Sequence, residues 1–237
     1  MGRTKESPMD QMRRVADAAS EMKALATNMP DLRIVAMDLE YGDERVGFTE
    51  LGLAIWDRGR RTGRQIFVGD QQGNGAYIHG ESERMSLSDA CAVIEETMRG
   101  ANGIAGHDLS GDRTRLKALG IELPHVPVYD TARMSKRLFV PPSHAQLRAM
   151  LQIYGLPSQG LHVAGNDAWA VIDLLCEMAR QGPSPCAGPD GGYLHPSRRP
   201  DLVRDRYTGS GYVMETGNLE RSERIRDEPD MVTPTGF

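Results

Sequence analysis

The stretch Leu32-Arg33-Ile34-Val35-Ala36-Met37-Asp38-Leu39-Glu40 decides the fold. It is apolar at nearly every position before Asp38, the pattern of a central strand covered on both faces. It ends in two carboxylates two residues apart. Side chains alternate along a strand, so residues 38 and 40 share a face and can reach one ion together. The plainer alternative is a strand end whose acids face water. Outward from this run, residues 48–56 read as a second strand and 64–68 as a third, with the glycine and polar residues of 57–63 forming the hairpin turn between them. Residues 69–85, rich in Gly, Gln and Asn, read as a loop. Ser86 and Asp89 open a helix with Leu87, Ala90, Val93, Ile94 and Met98 inward. A short strand at 103–106, a helix at 112–119, a strand at 126–129 and helices at 143–154 and 167–180 follow. The pattern predicts an α/β fold: a mixed five-stranded sheet, three antiparallel strands and then parallel ones, flanked by helices.

Three regions are expected. Residues 1–30 carry an accessory helix, with Met12, Val15, Ala19, Met22 and Leu25 at helical spacing before Pro30. Residues 31–182 form the main domain, a sensible size for one core in a 237-residue chain. Residues 183–237, dominated by Gly, Pro, Arg and Asp, read as an extended or disordered tail that could recruit a protein partner. A formal net charge of −5 argues against a strongly cationic nucleic-acid coat. Cys91, Cys176 and Cys186 form no CxxC pair and no even disulfide framework, which favours a reducing interior. Cys186 and His195 lack the second ligand pair a zinc site needs. No apolar run approaches the ~20 residues of a membrane span. The expectation is an intracellular protein, cytoplasmic or nuclear, without membrane contact.

Two further segments carry candidate chemistry: Gly106-His107-Asp108-Leu109-Ser110-Gly111-Asp112 and Leu161-His162-Val163-Ala164-Gly165-Asn166-Asp167-Ala168. Asp112 stands just after a strand near a helix start, where α/β folds build sites, although a helix cap is the commoner job there and Asp108 competes for the role. His162 lies in the segment leading into the helix that carries Asp167. Carboxylates gathered from these segments cannot all ionise without a counter-cation, and hard divalent ions with oxygen ligands suit them. Two such ions, roughly 3.5–4 Å apart, clamp the attacking and leaving oxygens of a phosphodiester, and a histidine nearby can take a proton from water. The residues thus point to a metal-dependent nuclease. Arg58 and Arg61 could hold phosphates, although an arginine-rich turn is more commonly a solvated loop. His107, at the end of a short strand, reads as structural, with a minor claim to a catalytic role.

In this order the three segments resemble the DEDDh branch of the DnaQ-like 3′-to-5′ exonucleases, over residues 32–180. Asp38 and Glu40 match the first motif, Asp112 the carboxylate of the second, and His162 with Asp167 the third. The third segment, with Asp130-Thr131, is similar to a fungal-type subgroup whose signature reads His-Asn-Ala-Gly-Asn-Asp-Ala; Val163 stands where that signature has asparagine. The resemblance implies a ribonuclease H-like fold and release of nucleoside 5′-monophosphates from single-stranded RNA or DNA 3′ ends. It implies two divalent ions, Mg2+ or Mn2+, held by Asp38, Glu40, Asp112 and Asp167, with His162 as general base. Tyr41, His107, Arg58 and Arg61 become the candidates for touching substrate. The competing expectation is an inactive adaptor on the same fold.

Overall fold

The computed structural model describes residues 6–42, 47–70, 73, 75–138 and 146–182, with the backbone of strands at 202–204 and 212–214. The central strand β1 (Arg33–Glu40) is paired antiparallel to β2 (Glu50–Asp57), which pairs antiparallel to β3 (Arg60–Val68). Beyond β3 lies β4 (Ser82–Met85), parallel to it, and on the other side of β1 run β5 (Gly103–Gly106) and β6 (Val128–Asp130), both parallel. The sheet is therefore six-stranded, in the order β4-β3-β2-β1-β5-β6.

The extra strand corrects the expected count of five. Ser82-Glu83-Arg84-Met85 is an edge strand with three exposed side chains, so no alternation marks it. Its evidence is backbone pairing with β3, reinforced by a two-pronged Arg64–Glu83 contact at 2.8 and 2.7 Å. The β2–β3 hairpin is also tighter than expected. Arg58 and Gly59 both take positive φ (50° and 85°), the two-residue turn that matches strand twist, and residues 60–63 join β3.

Alternation assigns the two sheet faces different work. Val35, Met37, Leu39, Leu51, Leu53 and Ile66 point to one side and pack under α2 (Leu87–Met98) and α3 (Ser110–Ala118). The opposite side presents small residues, Ala36, Gly52, Ala54, Gly63 and Ala105, beneath α6 (Ala164–Gln181). This trough lets the helix backbone approach closely. A Cβ on Gly52 would lie 1.8 Å from the Ala164 carbonyl oxygen, so no larger residue fits there without displacing α6.

The accessory helix is α1 (Pro8–Asn28), capped by Ser7, whose hydroxyl accepts from the Asp10 amide. It packs on α6 and on the helix at Thr131–Leu138, and its Ala18 and Met22 share a buried cluster with residues of α5 (Leu147–Ile153). Its buried face runs through Val15, Ala18, Met22 and Leu25; Met12 is exposed and Ala19 only half-buried, one position off the expected stripe. A helix not expected, α4 (Thr131–Leu138), begins where Asp130 caps it: Oδ1 accepts from the Ala132 and Arg133 amides at 3.1 and 3.2 Å. The expected start of α5 at 143 lies outside the described residues. So does the tail over 183–237, with Cys186 and His195, apart from β7 (Leu202–Arg204) and β8 (Tyr212–Met214), which pair antiparallel.

Candidate active site

Asp38 and Glu40 fall on the even face of β1, the face covered by α6. The first turn of that helix contains Asp167, and the three carboxylates offer ligand oxygens that all lie within 4.8 Å of one another. The structure thus brings the first and third sequence segments to one point.

Asp112 approaches from the other face, in the first turn of α3, close enough to act on Asp38 but outside that group of converging oxygens. The Tyr41 hydroxyl, just past the end of β1, donates to Asp112 Oδ1, and the Arg115 guanidinium lies 3.8 Å from the centroid of the tyrosine ring. Asp108, the competing carboxylate, instead accepts from Ser110 Oγ at 2.9 Å and takes a left-handed backbone, φ 63°. Its amide is held by Asp130 Oδ1 at 3.0 Å. Asp130 therefore caps α4 and pins the loop that delivers Asp112, a role its position at the end of a strand did not advertise. His107 is fixed beside it. The Thr131 hydroxyl donates to the Gly106 carbonyl at 3.0 Å, so at 2.9 Å it accepts from His107 Nδ1, which carries the proton.

His162 sits exposed in the lead-in to α6 with φ 70°. Its backbone amide donates to Asp167 Oδ2 at 3.0 Å, which ties the loop to the carboxylate. Asn166, almost wholly buried, does the rest of the bracing: its side chain accepts from the Ile78 amide and donates to the Ala76 and Gly160 carbonyls at 3.1, 3.0 and 2.8 Å.

The electrostatics are those of crowded acids. Burial pushes Asp38 well above the ordinary carboxylate range, and Asp167, Asp112, Glu40 and Glu50 push it further. Glu40 is raised by burial and by Glu50, while His162 pulls it back. Asp112 is pushed up to about 6, chiefly by burial, against the opposing hydrogen bond from Tyr41. Asp167 is pushed up to about 7, again chiefly by burial, against the His162 amide. The Arg115 and Arg148 charges oppose the shifts of Asp112 and Asp167 without cancelling them. Asp167 Oδ1 is buried without a hydrogen-bond partner. An orphaned carboxylate oxygen within reach of two other carboxylates suits a hard divalent cation.

Two candidates are not brought here. Arg61 pairs across the strands with Trp56, which faces Ile34, four residues before Asp38 and so about 13 Å along the strand. It forms an ion pair with Asp173 on α6 and lies over the Trp56 ring. Arg58 is further still, in the turn that follows Asp57, the partner of Arg33. Sequence reasoning missed Glu50, 2 % exposed and directly opposite Glu40. The available signal was a carboxylate opening a run as apolar as Leu51 to Trp56.

A family profile described as DNA polymerase III subunit epsilon-like, C-terminal domain (DEDDh) matches residues 60–178, half of the chain, and takes in Asp112, His162 and Asp167. The chain belongs to this family, the DEDDh ribonuclease H-like 3′-to-5′ exonucleases. Among solved structures it is similar to the Pan2 catalytic unit (protease and nuclease domain) of Neurospora crassa, at 17 % identity and a TM-score of 0.46, over 64 % of this chain and 27 % of that one. The Saccharomyces cerevisiae Pan2 pseudoubiquitin hydrolase-RNA exonuclease module in complex with AAUUAA RNA is similar at 15 % identity and 0.41, over 63 % of this chain and 29 % of the other. The RNase domain of yeast Pop2 is similar at 12 % identity and 0.40, over 76 % and 88 %. The chain spans less than a third of the length of the Pan2 structures. No curated protein sequence matches it. None of the helices among the described residues is long and apolar enough to cross a membrane.

Proposed function

We propose that this exonuclease hydrolyses the terminal phosphodiester of single-stranded RNA or DNA, releasing nucleoside 5′-monophosphates from the 3′ end with two divalent ions, Mg2+ or Mn2+. The observation that carries the reading is the convergence of Asp38, Glu40 and Asp167, with a buried oxygen of Asp167 left unpartnered.

In this reading Asp38, Glu40 and Asp167 hold one cation, and Asp38 and Asp112 hold the other. Bound there, the cations supply charge stabilisation for the attacking and leaving oxygens. The residues supply the rest. Tyr41 fixes one oxygen of Asp112, so the second is the one offered to the site. His162, exposed beside Glu40 and anchored through its own amide to Asp167, takes the proton from the attacking water, and its exposure lets it pass that proton to solvent.

The test is digestion of matched single-stranded RNA and DNA oligonucleotides with magnesium, manganese or chelator, resolving products by length. A ladder shortening from the 3′ end only with metal is expected, and it names the preferred sugar. Replacing Asp38 and Glu40 together by their amides should abolish it while the fold persists. Shortening retained by that variant would overturn the assignment.

A further inference from the structure

We propose that Glu50 is a positioning residue of the metal centre, a fifth carboxylate that caps α6 from the neighbouring strand and so sets where Asp167 stands relative to Asp38 and Glu40. This rests on the metal-site reading above.

Glu50 and Glu40 are cross-strand partners, and like charges directly opposite one another work against the sheet. A carboxylate this deeply buried needs donors. Its Oε2 accepts from Gln65 Nε2 at 2.8 Å and faces the Ala164 amide at 3.5 Å. Gln65, itself fully buried, turns its other side-chain atom, Oε1, to accept from the Gly165 amide. Ala164 and Gly165 are the first two residues of α6, and Val163 at its N-cap provides no side-chain cap. The amides that the helix's own sequence leaves uncapped are thus met by two side chains from β2 and β3. A negative charge is favourable at that end of a helix.

The same turn presents Asp167, whose Oδ2 accepts the His162 amide. Anything that fixes Ala164 and Gly165 against β2 and β3 therefore fixes a metal-ligating carboxylate and the loop of the general base. Glu50 also faces the ligands electrostatically, raising Asp38, Glu40 and Asp167 alike. Its Oε2 is taken up by Gln65 and the Ala164 amide, so it adds negative potential from behind the ligand oxygens.

The experiment is Mn2+ binding by calorimetry to the full chain and to Glu50→Gln, with thermal unfolding in chelator alongside. Glu50→Gln keeps the volume and removes the charge. It should weaken Mn2+ binding roughly 10–100-fold, the usual cost of losing a partner outside the ligand shell. In the exonuclease assay the metal concentration for half-maximal rate should rise in parallel while the oligonucleotide KM stays level. Gln65→Leu, which leaves the carboxylate and removes its donor, should weaken binding in the same direction and carries the test should Glu50→Gln fail to fold. Wild-type Mn2+ affinity in a folded Glu50→Gln protein overturns the proposal. A wild-type chain that binds no Mn2+ overturns the metal-site reading, and Glu50's role with it.

Discussion

Raising the pH from 5 to 8 in the presence of chelator should destabilise this protein, and divalent cation should restore what is lost. Folded Asp167 keeps its proton up to about 7, against an ordinary value of 3.8, and folded Asp112 up to about 6. Between those limits the folded chain binds more protons than the unfolded one, so stability present at low pH drains away as pH rises. At 1.36 kcal/mol per unit, Asp167 loses about 2.7 kcal/mol between pH 5 and 7, and Asp112 about 1.4 kcal/mol between pH 5 and 6. The two acids sit among the same carboxylates, so their proton losses are not additive, and about 2–4 kcal/mol is expected in total. For a chain of this size that is a Tm lower by roughly 5–15 °C. A cation at 100 times its dissociation constant returns about 2.7 kcal/mol. It should do so at pH 8, where no proton must be displaced, and far less at pH 5. Circular dichroism melts at unit pH intervals, with chelator and with magnesium, measure this. Asp167→Asn, which cannot titrate, should flatten the chelator series. A chelated wild-type Tm that is level or rises from pH 5 to 8 would refute the crowded-acid account.

His162→Ala should lower the rate roughly 10²–10⁴-fold at saturating magnesium, with Mn2+ affinity unchanged. A pH–rate profile identical to wild type would remove it from proton transfer. Tyr41→Phe removes the hydrogen bond that holds Asp112 down, so the acid limb of that profile should move to higher pH; a limb that stays in place would mean Tyr41 does not tune Asp112. Gly52→Ala places a methyl against the Ala164 carbonyl and should cost about 1–3 kcal/mol in thermal unfolding, with a larger relative loss of activity because α6 carries Asp167. Wild-type Tm and rate in the Gly52→Ala variant would show that α6 tolerates displacement.

How much was legible depended on where each signal resides. β1 could be read because burial on both faces forces apolar residues at odd and even positions alike, and a break at Asp38 then stands out. The Asp38–Glu40 pair could be placed on one face from alternation alone. That this face would be α6's could not, because the trough is built from Ala36, Gly52, Ala54, Gly63 and Ala105, and small residues scattered over several strands look like nothing in particular until the register aligns them. β4 was missed because an exposed edge strand is held by backbone pairing, which side-chain periodicity does not report. α4 was missed because it spans eight residues and takes its cap from Asp130, the last residue of the preceding strand. Arg58 and Arg61 looked like phosphate ligands by composition, yet the hairpin they occupy closes the end of β1 away from the acids. Glu50 and Gln65 escaped because their function lies in a helix 100 residues or more downstream.

The register also explains why the acids gather where they do. β1 is paired with β5 from Ile34 to Ala36, but with β2 all the way to Glu40. Its last residues are therefore flanked on one side only, and β5 turns off at Gly106 into the loop that Asp130 and Thr131 clamp. A gap opens beside Asp38 and Glu40 at the carboxyl end of the strand where the sheet changes from antiparallel to parallel pairing, the kind of crevice in which open α/β sheets bind ligands. Asp112 closes the gap from the α3 face and Asp167 from the α6 face. Neither helix could supply both, because the two faces of one sheet are separated by the sheet itself; only beyond the last β5 pair can residues from each meet. The overrun of β1 past β5 is what lets an acid from each helix act on Asp38 at this end of the strand.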